Sequence, residues 1–108
     1  MSIRLKYYRE LSEEERRRDL GRFLRWLLEK SKGTLVEVGP RWYNRWPGGH
    51  GPLGRYDARL FYNLVEKVMG EAAVEPVFVK YNKRHWRGRR YYISRGDVLR
   101  ILKHLGYT

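Results

Sequence analysis

The chain has 108 residues, no cysteine and a net charge of +12, from 24 Lys and Arg against 12 Asp and Glu. That length builds one domain with a modest core, and the absence of thiols excludes disulfides, thiolate zinc sites and a Cys nucleophile together. A field of this size favours polyanions, nucleic acid first and an anionic membrane surface second.

Ile3, Leu5 and Tyr7 alternate with Arg4, Lys6 and Tyr8, a short strand pattern. Ser12 followed by Glu13, Glu14 and Glu15 forms a capping box with acids at the positive end of a helix dipole. Leu20, Phe23, Leu24, Leu27 and Leu28 continue at helical spacing, which predicts a helix over about Ser12–Lys32 that stops at Gly33. Trp26 lies off that stripe, at the edge of the core or exposed beside Arg22 and Arg25. Thr34–Val38 reads as a strand. Residues 39–56, GPRWYNRWPGGHGPLGRY, read as a Gly- and Pro-rich loop.

Asp57 is placed to cap a second helix, whose Leu60, Phe61, Leu64, Val65, Val68 and Met69 form one apolar stripe. Pro76 opens a hairpin that reverses around Trp86-Arg87-Gly88. Ser94 with Asp97 is another capping pattern, before Val98, Ile101, Leu102 and Leu105 and a stop at Gly106. The expected fold is a single α+β domain over residues 1–108: about three amphipathic helices packed on one face of a sheet of about four strands, with a basic hairpin.

Charge and rings concentrate in the same places. Residues 39–56 and 76–96 contain no acid, yet they hold three of the four tryptophans and most of the tyrosines. Arg41 and Arg45 alternate with Trp42, Tyr43 and Trp46. In the hairpin, Lys83, Arg84, Arg87, Arg89 and Arg90 surround Trp86, Tyr91 and Tyr92. Cations release counterions from phosphates, and rings stack on bases that lack a neighbour, so the combination points to single strands more than to duplex. The expected binding residues are therefore Arg41, Trp42, Arg45, Trp46, Lys83, Arg84, Trp86, Arg87, Arg89, Arg90, Tyr91 and Tyr92. Structural roles compete for several of them. Trp42 and Trp46 are also placed to be core rings, pleat geometry buries about one of Tyr91 and Tyr92, and edge-strand cations guard against aggregation.

Catalytic signatures are absent from the sequence. His50, His85 and His104 are far apart, GGHGPLG lacks the Lys-Ser/Thr of a phosphate loop, and the spacing of Glu37, Asp57 and Glu66 asks for no metal. The expectation is a non-enzymatic protein with no cofactor and no metal. A metal-free nuclease using His85 with Lys83 or Arg84 stays as an alternative. The lack of a signal-peptide core in MSIRLKYYRE and of any apolar run long enough to span a bilayer makes a cytoplasmic, membrane-free location the expectation. The absence of Gln beside abundant Arg and Glu suggests a thermophilic source.

In size, composition and the acid-free segments RWYNRW (Arg41–Trp46) and KYNKRHWRGRRYY (Lys80–Tyr92), the chain resembles the ThermoDBP-related archaeal single-stranded DNA-binding proteins. The resemblance lies in overall character and covers most of the chain. It implies a homo-oligomer that binds single-stranded DNA with little sequence preference. Some members of that family continue into a leucine zipper; this sequence stops at Thr108, so any oligomer is expected to form through the domain itself. Two further alternatives remain: an RNA-binding or ribonucleoprotein component, and a winged-helix variant with Lys83–Arg90 as the wing. Against the latter, the helix from Asp57 to Met69 turns Arg59, Tyr62, Asn63, Glu66 and Lys67 outward, a partly acidic recognition face.

Overall fold

Ser12 starts the first helix as its sequence predicts. In the computed structural model, which describes residues 6–82 and 88–107, its hydroxyl accepts the Glu15 N–H at 3.1 Å, and the Glu15 carboxylate accepts the Ser12 N–H at 3.0 Å. This reciprocal cap opens α1 (Glu13–Lys30), whose Leu20, Phe23, Leu24 and Leu27 are buried. The chain leaves α1 at Ser31 in extended conformation and enters β1 (Leu35–Val38), which turns Val36 and Val38 inward.

The segment expected to be a loop contains a helix, α2 (Pro40–Arg45). Proline at its first position is already set for helical φ and needs no hydrogen-bond partner for its nitrogen. Tyr43 then reaches the core and is fully buried. The next helix, α3 (Arg55–Glu71), begins at Gly54 rather than at Asp57. Asp57 sits inside the first turn with its side chain buried, so it meets the helix dipole without capping it. Phe61, Leu64, Val65, Val68 and Met69 form the buried stripe.

β2 (Phe78–Tyr81) and β3 (Arg89–Ser94) form the hairpin, closed by the Asn82 N–H donating to the Gly88 carbonyl at 2.8 Å. The Ser94 hydroxyl accepts the Asp97 N–H and caps α4 (Arg95–His104); Gly106 then adopts φ +88°, a value glycine takes without strain. The sheet is antiparallel with order β1-β3-β2. Among the described residues the domain thus has four helices and three strands. The expected first strand falls partly on residues 1–5, outside the described residues; Tyr8 begins a short 3₁₀ turn (Tyr8–Glu10) and drops its ring into the core.

Register decides which residues face the helices. Val38 pairs with Tyr91, and Tyr91 with Val79; Val36 pairs with Ile93. This row joins the buried side chains of α1, α3 and α4 in one core. The alternate row, Glu37–Tyr92–Phe78, faces away from it. No helix among the described residues is long and apolar enough to cross a membrane.

Candidate nucleic-acid interface

Two depressions flank α2. The first is a groove of about 690 Å³ between α2, the first turns of α3 and the hairpin. Arg41 enters it from α2, Arg55 and Arg59 from α3, and Arg89 and Arg90 from β3; no carboxylate lines it among the described residues. Arg55 and Arg59 stand one helical turn apart, and exposed Asn63 continues their line by another turn. Asn44 braces the loop entering α3, its side-chain oxygen accepting the Leu53 N–H at 2.8 Å.

The five arginines differ in how firmly they are held. Arg89 donates to Glu66 at 2.5 Å, its guanidinium lies 5.0 Å from the Tyr62 ring centre, and its backbone N–H donates to the Tyr62 hydroxyl at 3.2 Å. Glu66 also accepts from the Tyr91 hydroxyl, whose pKa is pushed well above its ordinary value by burial and by that acceptor. Arg90 lies 3.6 Å from Glu37. Arg41, Arg55 and Arg59 have no carboxylate within ion-pair distance among the described residues.

The second depression, about 530 Å³, lies on the outer sheet face beside α2 and the end of α1. Phe78 and Tyr92 stack across the strands, 4.3 Å between centroids and 14° between planes. Trp42, Arg41, Arg45 and Lys30 complete the walls, with Glu37 beside them. The Arg45 guanidinium lies 5.2 Å from the Trp42 ring, and the Lys80 ammonium 5.5 Å from the Tyr92 ring. Glu37 accepts from the Tyr92 hydroxyl at 2.5 Å and so raises its pKa.

The structure therefore divides the expected binding set. Arg41, Arg89 and Arg90 meet in the first groove; Arg41, Arg45, Trp42 and Tyr92 meet in the second. Lys83, Arg84, Trp86 and Arg87 lie outside the described residues. Tyr91 is buried, 3 % exposed, and belongs to the core. Trp46 is partly buried against Phe23 and Tyr43, with centroids at 5.7 and 5.6 Å, and lines neither depression; Arg22 covers it at 5.6 Å.

Sequence reasoning left Arg55, Arg59 and Phe78 out of the binding set. The spacing of Arg55 and Arg59 outside the apolar stripe was the available signal. Tyr62, expected to face outward, is 6 % exposed. No cluster of three or more His, Asp or Glu suited to a metal occurs among the described residues. No protein-family model, characterised protein or solved structure matches the chain.

Proposed function

We propose that the protein binds duplex DNA, presenting the first half of α3 to the major groove and the hairpin to the flanking backbone. The observation that carries this reading is the groove at the junction of α3 with β3, lined among the described residues by five arginines and no acid. The order α1–β1–α2–α3–β2–β3, with β3 central in the sheet, resembles a winged-helix module. In helix-turn-helix proteins the second helix of the pair lies in the major groove and reads base edges with its N-terminal residues. Arg55, Tyr56, Arg59 and Asn63 are exposed on that part of α3. Arginine suits the two acceptors of guanine, and asparagine the donor–acceptor pair of adenine. Glu66, which made this face look acidic, is occupied by Arg89 and Tyr91.

Single-stranded nucleic acid is the second reading, supported by the cleft that combines Trp42, Phe78 and Tyr92 with three cations. Two of the rings expected to stack, Trp46 and Tyr91, are engaged inside the fold. Fluorescence anisotropy with a duplex, each of its strands and the matching RNA discriminates between the two readings. Replacing Arg59 by Ala weakens duplex binding by about 1–3 kcal/mol if it reads a base. Equal binding of all probes, unaffected by Arg55 and Arg59, would refute the duplex reading.

A further inference from the structure

Arg41 stands on the shared wall of both depressions. It lines the arginine groove on one side of α2 and the aromatic cleft on the other. A phosphate held there belongs to a strand with access to both. The groove has the charge and the helix face for a double helix. The cleft has what a double helix leaves unused: flat ring faces, Phe78 at 40 % exposure stacked on Tyr92, flanked by Arg45 and Lys30. A base inside a duplex is already stacked on both sides, whereas an unpaired base exposes a face that aromatic side chains cover.

From this arrangement we infer that the cleft is a subsite for an unpaired nucleotide next to the bound duplex, so that the preferred ligand is a duplex with a single-stranded extension. The inference rests on the duplex reading above and adds the ligand class. The cleft's volume, about 530 Å³, lies within the range of small-molecule sites and suits one or two nucleotides. The one acid that lines it among the described residues is compensated: Glu37 accepts from the Tyr92 hydroxyl and lies 3.6 Å from Arg90, so it does not face an incoming phosphate alone. Lys30, Arg41 and Arg45 leave the cleft rim cationic, which matches the phosphates of an extending strand.

The test uses four probes in anisotropy titrations of the full chain: a blunt duplex, the same duplex with a three-nucleotide extension at the 5′ or the 3′ end, and the extended strand alone. The first unpaired base is 2-aminopurine, whose emission falls on stacking. One of the extended duplexes binds tighter than the blunt one by about 5- to 150-fold, the range that one base–ring stack supplies. Phe78→Ala removes that preference and the quenching, while blunt-duplex affinity stays unchanged. A melting curve of Phe78→Ala establishes that the variant is folded.

Equal affinity for blunt and extended duplexes, with unquenched 2-aminopurine, overturns the subsite and leaves duplex binding standing. Binding of the extended strand alone as tightly as the extended duplex, with no binding of the blunt duplex, overturns the junction class and removes the duplex reading with it.

Discussion

Arg41, Arg55 and Arg59, which have no ion-pair partner among the described residues, set a measurable electrostatic signature in the groove. Each cation that meets a duplex phosphate releases condensed counterions and adds about −0.9 to the slope of log K against log salt. Arg41, Arg55 and Arg59 together contribute about −2.7 to that slope when each sits on a phosphate, and an arginine that reads a base instead takes about 0.9 off that total. Their share of the affinity falls about 40-fold between 50 and 200 mM salt. Replacing Arg55 and Arg59 together by Ala leaves Arg41, whose share falls only about 3- to 4-fold over the same range, so the slope becomes shallower by about 1.8. Both side chains are exposed and neither has an ion-pair partner among the described residues, so the double variant keeps its fold. Anisotropy titrations of one duplex at five salt concentrations measure both slopes. An unchanged slope together with an unchanged affinity in a folded double variant shows that these arginines meet neither phosphate nor base, and the groove is then not where DNA lies.

Glu66 tests the same groove with the opposite sign. Glu66→Gln keeps an acceptor for the Tyr91 hydroxyl but releases Arg89, so duplex binding strengthens and the slope steepens by up to about 0.9; weaker binding would mean that Arg89 works only when braced. Tyr43→Phe removes a buried hydroxyl that donates to Asp19 at 2.6 Å and accepts the His50 N–H at 3.0 Å. The loss of both bonds costs about 1–3 kcal/mol in a urea titration, and a change below about 0.5 kcal/mol would show that the pair is not sealed from water. Glu71 is held by Arg17 and His104, and these hydrogen bonds lower its pKa from the ordinary 4.5 to about 2. Its contribution to stability is therefore complete above pH 4.5 and disappears as pH falls towards 2. Glu71→Gln flattens that part of the acid-unfolding curve; a wild-type slope in the variant would assign the acid transition to other carboxylates.

The three long helices were legible because their apolar residues repeat every three or four positions across several turns, and because Ser12 and Ser94 are caps in sequence and in space. α2 was not. Six residues between glycine-rich flanks carry too short a period to read, and a helix of that length forms only through tertiary contacts such as those of Tyr43. Asp57 has the chemistry of a cap, but burial among core side chains decides its position, and that depends on packing. Pleat alternation required one of Tyr91 and Tyr92 to be inside; only the pairing of Val38 with Tyr91 says which. The binding surface was read from acid-free windows of the chain, which found Arg41, Arg89 and Arg90. It passed over Arg59, two residues beyond Asp57, because a linear window counts a buried acid as if it faced solvent.

That difference also changes what the aromatic residues are for. Rings beside arginines in the sequence suggest bases stacked on them, yet Trp46, Tyr43, Phe23 and Phe61 mainly meet one another, with centroids 5.4–6.0 Å apart. Trp26 extends the network to Trp42 at 6.5 Å. Tyr43 and Trp46 lie on the inward side of α2 or at its end, which leaves Arg41 and Arg45 outward, one turn apart. A six-residue helix has little stability of its own, so the rings that hold it also fix the directions of its two guanidinium groups. Holding cations in place before the ligand arrives removes part of the ordering entropy that association otherwise costs. Under the proposed nucleic-acid reading, Trp26 and Trp46, two of the three described tryptophans, act indirectly, through the helix they immobilise. Trp42, the one described tryptophan that lines either depression, is the exception, and it stands where α2 meets the outer face of the sheet.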